Sequence, residues 1–588
     1  MTDAAGESTL RPHDAAEPER RPVETPWSQP RWDRRTFIKQ GALSGAAALA
    51  LGAGPAEAAR RAHRRLRASR APRPEQPNIL TIVVDQLRTP VWMPPAWGPA
   101  QVMPNLAALL ARSVNFTRHY TAANDCSPSR SVLLTGLYTH QTGVLITGAG
   151  HLDPRFPTWG RLLRELGYET VYYGKWHLNP DPNASLSQYG FAGGTYPSPN
   201  GSPGQGTLVD GSIAAQFVDW LDGRGEAEPW ATTVSFVNPH DIAWWHRFTE
   251  RIPAESSPPP RAVSLPGNYE TPERLFEQAK PLLQRSLQDT AARSFGAVPF
   301  DGPETLAWWT NMMDTYLLLQ SYVDAHVGRV LEALASRPEV AANTVVIFTS
   351  DHGEYAGSHG MRGKGASAYE EAIRVPLAVY DPRGVLTRDV QQPRAQLTSS
   401  ADVAALMLTI AWGSAGWRAH QRYSHLAGRL DLAAICANAQ APGRSWVLHT
   451  TDEDVTEFAS QLHAAEAPRH VVSLRSTQGK LTLYSNWQPG TTQAEAGGRE
   501  SELYDYSSEE GQLELTSQER FDSPLEDELL QTLEESAVPD ELNEPLPIAL
   551  RAAQGDAFDR YFEFEEREAL KVLRARRDES QEPTPEAL

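Results

Sequence analysis

Asn78-Ile79-Leu80-Thr81-Ile82-Val83-Val84-Asp85 decides the fold. The run is short, mostly β-branched and without polar alternation, as expected of a strand buried on both faces in a parallel sheet covered by helices. It ends on the polar pair Asp85-Gln86. Similar runs at Glu169–Tyr173, Trp230–Val237 and Thr344–Thr349 alternate with helical patterns at Pro104–Phe116, Trp159–Leu166 and Ile213–Leu221. A longer helix is expected from about Thr310 to Ala335, where Tyr316, Leu319, Val323, Val327, Val330 and Leu331 keep one face. This rhythm predicts an α/β fold with a large mixed, mostly parallel sheet sandwiched by helices. Ligands in such sheets collect at the carboxyl ends of the strands, and ionisable residues follow each strand named here.

Outward from that core, the 588 residues can bury a large interior and carry 54 basic against 73 acidic side chains, a formal charge of −19. That balance argues against nucleic acid as a partner, so an anionic ligand would need cations gathered locally. Near the start, Asp33-Arg34-Arg35-Thr36-Phe37-Ile38-Lys39 precedes an Ala/Gly/Leu run and the small-residue stretch Ala56-Glu57-Ala58. The order resembles a twin-arginine export signal over residues 1–58 and implies a periplasmic or extracellular protein. No stretch has the length of a membrane-spanning helix, so no integral membrane protein is expected. Residues 59–76 read as an Arg-rich flexible connector. A main domain then spans 77–395, with a Pro-rich stretch over 241–303 read as a long insertion rather than core. Short β-like runs at Val471–Leu474 and Leu481–Tyr484 place a smaller C-terminal α+β domain over 396–522, and 523–588 reads as an acidic peripheral arm with a helix around Ala557–Arg574. The two cysteines, Cys126 and Cys436, are too few for a disulfide framework, although one bridge between them is open.

Cys126-Ser127-Pro128-Ser129-Arg130 is read as a loop leading into a helix that begins near Pro128, and Thr135-Gly136 follows. An isolated cysteine is usually a packing residue. Here Cys-x-Pro-Ser-Arg followed by Thr-Gly resembles the signature of the type I sulfatases of the alkaline phosphatase superfamily. The resemblance continues through Asp85-Gln86, Gly174-Lys175-Trp176-His177, His240 after Asn238-Pro239, Asp351-His352-Gly353 and Lys364 in Met361-Arg362-Gly363-Lys364, over about Asn78 to Asp381. Asp85-Gln86 and Asp351-His352 depart from the Asp-Asp and Asp-Asn of many arylsulfatases and resemble the variant in choline sulfatases and phosphonate monoester hydrolases.

What the resemblance implies is specific. Cys126 would be oxidised to formylglycine by a formylglycine-generating enzyme before export by the twin-arginine machinery. Asp85, Gln86, Cys126, Asp351 and His352 would hold one divalent metal ion; oxygen-rich donors with one imidazole suit Ca²⁺ first, with Mg²⁺ or Mn²⁺ open. The hydrated aldehyde would attack the sulfur of a sulfated small molecule or glycan. Arg130, Lys175 and Lys364 would neutralise sulfate charge, His240 or Lys364 would protonate the departing alcohol, and His177 would act as base when sulfate is expelled. Lys175, His240 and Lys364 are also the expected sulfate contacts. The same scaffold admits a phosphonate or phosphate ester hydrolase, or a non-catalytic binder of sulfated ligands. Trp244 and Trp245, just after His240, are read either as an apolar wall for the leaving group or as buried anchors.

Overall fold

The structure, a computed structural model, describes residues 76–579 apart from 91–98, 148–150, 225–228, 246–261, 454–462, 464–465, 489, 496 and 516–522. The export signal and the arginine-rich connector up to residue 75 therefore lie outside the described residues, as does Ser256-Ser257-Pro258-Pro259-Pro260.

The strands, in chain order, are β1 (Asn78–Asp85), β2 (Val114–Phe116), β3 (His119–Tyr120), β4 (Glu169–Gly174), β5 (Trp230–Pro239), β6 (Thr344–Ser350), β7 (Leu377–Tyr380), β8 (Thr398–Ser399), β9 (Trp446–Asp452), β10 (His470–Ser476), β11 (Gly479–Ser485) and β12 (Glu500–Asp505). Six form one sheet in the order β2-β7-β6-β1-β5-β4. β6, β1, β5 and β4 run parallel, and β7 lies antiparallel to both β6 and β2. The sheet is thus mixed and mostly parallel, as the central apolar run predicts.

β1 alternates its side chains between two cores. Ile79 and Val83 pack with Val345, Ile347, Trp159 and Met407, whereas Leu80, Ile82 and Val84 pack with Phe217, Val327, Val346 and Phe348. A strand so enclosed has no polar face, and each Val, Ile or Leu buried contributes about 1.5–3 kcal/mol. The covering helices include Trp159–Glu165 and Val403–Trp412 on one side, Gln205–Gly223 and Thr305–Ala335 on the other.

Several expectations need correction. The helical pattern over Pro104–Phe116 stops at Leu110, and Val114–Phe116 becomes β2 because it pairs with the sheet edge at β7. The helix expected near Pro128 begins two residues earlier, so Cys126 opens the helix Cys126–Thr135 rather than sitting in a loop. Proline is tolerated there because first-turn N–H groups lack helical partners. The stretch over 241–303 is not a bare loop: it forms helices Pro272–Glu277 and Leu282–Phe295 and buries Asn268, Glu270, Lys280 and Gln284.

The smaller domain is an antiparallel sheet, β12-β11-β10-β9, and begins at Trp446. Residues 396–445, expected in this domain, instead join the main one. β8 pairs with β3, and the apolar helix Val403–Trp412 is buried against the main sheet. The acidic C-terminal stretch is not peripheral either. Leu529, Leu533, Ala537 and Leu542 pack on Leu448, Leu474, Leu481 and Leu503, and Tyr561 packs on Leu145 and Ile146. Its acidic average hides an apolar stripe at helical spacing, and the last helix runs over Ile548–Glu579. Among the described residues no helix is long and apolar enough to cross a membrane.

Candidate active site

Four neighbouring parallel strands deliver functional side chains to one edge of the sheet. β1 ends at Asp85 and leads to Gln86; β4 ends at Gly174 and leads to Lys175; β5 ends at Pro239 and leads to His240; β6 ends at Ser350 and leads to Asp351-His352. Register keeps these ends level, since Val84 pairs with both Ser350 and Phe236, and Gly174 pairs with Ser235. Gly174 is required by geometry: it has φ +97°, and a Cβ there would lie 1.8 Å from the Ser235 carbonyl oxygen. That close approach lets the Lys175 N–H donate to Ser235 O at 2.9 Å and turns the lysine inward.

The helix Cys126–Thr135 brings its first residue to this edge. Cys126 Sγ lies 3.1 Å from His352 Nε2, 3.4 Å from Lys175 Nζ and 3.9 Å from Asp85 Oδ1. Cys126 and Cys436 are both free thiols, so no bridge joins them, and Cys436 packs in the main core. Four buried residues, Asp85, Cys126, Asp351 and His352, place one ligand atom each within 4.8 Å of the others. His352 Nδ1 faces the Gly353 carbonyl at 3.1 Å, which turns Nε2 toward the cluster. Burial lowers the His352 pKa despite Asp351 and Asp85, leaving the ring neutral and able to act as a ligand. Two carboxylates and a neutral imidazole at this spacing fit a hard divalent cation.

Cations already crowd the carboxylates. Asp85 Oδ2 lies 2.6 Å from Lys175 Nζ and 2.7 Å from an Arg130 guanidinium nitrogen, which also lies 2.8 Å from Asp351 Oδ2. Burial alone would raise Asp85, but Lys175, His240, Arg130 and His352 outweigh it and hold the carboxyl well below its usual range. Burial would likewise lower Lys175, and Asp85 with Cys126 outweighs it, so the ammonium form is favoured. Arg130 directs its other amino nitrogen to Lys175 O at 2.6 Å and Ser235 Oγ at 3.0 Å. Its guanidinium is therefore a clamp across the two aspartates.

The remaining expected residues divide between rim and support. His240 Nε2 lies 3.4 Å from Lys364 Nζ, which donates to Gln86 Oε1 at 3.0 Å. Gln86 thus stands between the four-residue cluster and Lys364, with its own N–H on Asp351 Oδ1 at 3.1 Å. His177, at φ +59°, is tied to the first turn of the Cys126–Thr135 helix through its carbonyl, which accepts from Ser127 Oγ at 2.6 Å. Trp244 is half-buried and donates its indole N–H to Gly201 O at 2.7 Å, while Trp245 is buried among Trp309, Met312 and Tyr316.

Sequence reasoning missed Ser129, Ser235, Gly201 and Glu354. Ser129 Oγ donates to Asp351 O at 2.5 Å, and Glu354 accepts from Gln86. Glu354 has a signal three residues after Asp351, and Ser129 has one inside the Cys-x-Pro-Ser-Arg signature; Ser235 and Gly201 are small residues in ordinary local sequence. Gly201 sits at φ +89°, where a Cβ would lie 2.6 Å from His240 Cε1 and 3.0 Å from Lys175 Nζ. Gly201→Ala should therefore displace both side chains and lower kcat/KM on the order of 100-fold, the usual consequence of misplacing a reacting group by about 1 Å. Steady-state kinetics alongside circular dichroism would check this, and unchanged kcat/KM would remove His240 and Lys175 from the reacting set.

A second buried group, His359, Glu371 and Glu514, also converges within 4.8 Å. Lys480 Nζ lies 2.6 Å from Glu514 Oε1, and Asn268 Nδ2 donates to Glu371 Oε1 at 2.7 Å. Protein cations and donors already balance these acids, so the cluster is a clamp between the 262–303 segment and the C-terminal sheet.

The fold and this edge define a hydrolase of the alkaline phosphatase superfamily. The sulfatase family model matches residues 77–414, and the chain belongs to the sulfatase family, a family of sulfuric ester hydrolases. It is 27% identical over 370 residues to an uncharacterized sulfatase, YidJ, of Escherichia coli, covering 57% of this chain and 68% of that protein. The chain spans about two thirds or less of the length of the curated relatives it matches. Its fold is similar to that of a 2-O GAG sulfatase, with a TM-score of 0.57, 21% identity and coverage of 82% of this chain and 96% of that one. It is equally similar to the phosphonate monoester hydrolase of Silicibacter pomeroyi, at TM-score 0.57 and 21% identity over 78% of this chain and 94% of that one.

Proposed function

We propose that this protein hydrolyses sulfate monoesters, releasing an alcohol and inorganic sulfate, with a formylglycine formed from Cys126 as nucleophile. The carrying observation is the convergence of Cys126 with Asp85, Asp351 and His352 in one buried set, with Lys175 Nζ 3.4 Å from Cys126 Sγ. A divalent cation bound there, Ca²⁺ by preference, would supply Lewis-acid chemistry, and the formylglycine would supply an oxygen nucleophile with a second hydroxyl for expelling sulfate. Asp85, Asp351 and His352 would hold the cation, joined by Gln86 through its amide oxygen.

The chain's own residues do the rest. Lys175 presents a buried charged ammonium beside the nucleophile, where a low dielectric strengthens its attraction for a tetrahedral anion. Lys364 and His240 stand as a pair 3.4 Å apart, so one of them holds the proton destined for the departing oxygen. Arg130 bridges Asp85 and Asp351 through one guanidinium nitrogen. His177, whose carbonyl accepts from Ser127 Oγ, would be the base that takes the proton when sulfate leaves. The substrate is a sulfated small molecule or glycan. Maturation by a formylglycine-generating enzyme would precede twin-arginine export to the periplasm or beyond.

A phosphonate or phosphate ester hydrolase is the second reading, favoured by the phosphonate monoester hydrolase neighbour and by cations that accept either anion. The test is mass spectrometry of the tryptic peptide His119–Arg130 from protein made with a formylglycine-generating enzyme, followed by matched aryl sulfate and aryl phosphonate esters. Formylglycine at position 126 and a higher kcat/KM on the sulfate are expected. Full turnover from protein carrying only cysteine would sink the mechanism, and preference for the phosphonate would transfer it to the second reading. Sulfate binding without turnover in modified protein would leave a non-catalytic binder.

A further inference from the structure

We propose that Glu354 is a positioning residue that decides which end of the Gln86 amide faces Lys364, and thereby sets the ammonium of Lys364 beside His240. Glu354 is fully buried behind the site. One carboxylate oxygen, Oε1, accepts the backbone N–H of Ala356 at 3.0 Å and of Gly363 at 2.7 Å; the other, Oε2, accepts Gln86 Nε2. These three contacts use N–H donors, so the carboxylate acts here as an acceptor.

Gln86 is wedged between two groups of opposite character. Lys364 Nζ can only donate, and it meets Gln86 Oε1 at 3.0 Å. An amide with an acceptor on one side and a donor on the other has one satisfactory orientation, nitrogen to Glu354 and oxygen to Lys364. The backbone of Gln86 is pinned independently, its N–H on Asp351 Oδ1 at 3.1 Å and its carbonyl accepting from Tyr316 OH at 2.7 Å. The amide is therefore the part Glu354 controls. Glu354 also holds the N–H of Gly363, so the same carboxylate fixes the backbone before Lys364 and, through Gln86, the tip of its side chain.

The inference rests on the reading of Lys364 as a sulfate ligand, and a charge-neutral swap tests it. In Glu354→Gln the new amide oxygen must still serve Ala356 and Gly363, which leaves its NH₂ against Gln86. Gln86 must then offer its oxygen inward and its own NH₂ to the Lys364 ammonium, donor against donor. Affinity for inorganic sulfate, measured by isothermal titration of purified enzyme with matched metal content, should fall about ten- to hundredfold. The double variant Gln86→Glu with Glu354→Gln restores an acceptor between an amide and Lys364, and should recover most of that affinity. Urea unfolding midpoints should follow the same cycle, lowered in the single variant and restored in the swap. Wild-type sulfate affinity in Glu354→Gln, or a swap no better than the single variant in both readouts, would overturn the proposal. Absence of sulfate binding in the wild type would count against the proposed function instead, and the unfolding cycle would still decide the Glu354–Gln86 pairing.

Discussion

Cys126→Ala is expected to lower turnover on the order of 10⁴-fold or more while the protein stays folded. Cys126 Sγ faces His352, Lys175 and Asp85 at 3.1–3.9 Å, so alanine there removes the side chain that would carry the formylglycine oxygen and leaves the surrounding charges paired among themselves. One buried sulfur atom contributes about 1 kcal/mol or less here, so the unfolding midpoint in urea should move little. Inorganic sulfate should still bind through Lys175, His240 and Lys364. Wild-type turnover in the alanine variant would refute the nucleophile. Collapse of the fold would show that Cys126 is a packing residue.

Much of this site is legible in the sequence because strand ends are legible. The β-branched runs at Asn78, Trp230 and Thr344 announce buried parallel strands, and parallel strands put their following residues on one edge whatever the loops do. Position at strand ends puts Asp85, Lys175, His240 and Asp351 on that edge, and the resemblance to the sulfatase motifs is what gives them roles. What the sequence hides is who holds whom. Arg130 looks like an anion ligand until the structure turns it onto two aspartates, and Gly201 looks like any loop glycine until His240 is seen against it. Composition misleads as well. The stretch after Ser523 is acidic on average, yet Leu529, Leu533 and Ala537 lie on one helical face and close the C-terminal sheet's core. Val114–Phe116 joins β7 as an edge strand against its helical surroundings, a case of tertiary pairing overriding local pattern.

Arg130→Met should destabilise the protein by about 3–5 kcal/mol, the usual cost of removing one partner from a buried ion pair. Both aspartates are fully buried, and Arg130 supplies the positive charge common to them at 2.7 and 2.8 Å. Lys175 reaches Asp85 and would remain, which leaves Asp351 as the exposed weakness of the variant. Lysine at position 130 should recover only part of the loss, because a single ammonium cannot span two carboxylates as a planar guanidinium does. The same electrostatics makes a statement about the metal. A guanidinium against Asp85 and Asp351 repels any cation drawn to them, so its loss should raise the affinity of the cluster for Ca²⁺. Urea unfolding in chelator and in saturating Ca²⁺ separates the two contributions: the deficit of Arg130→Met should be large in chelator and smaller with Ca²⁺ present. A deficit that Ca²⁺ leaves unchanged would place the ion elsewhere than between Asp85 and Asp351, even in a protein whose turnover depends on it.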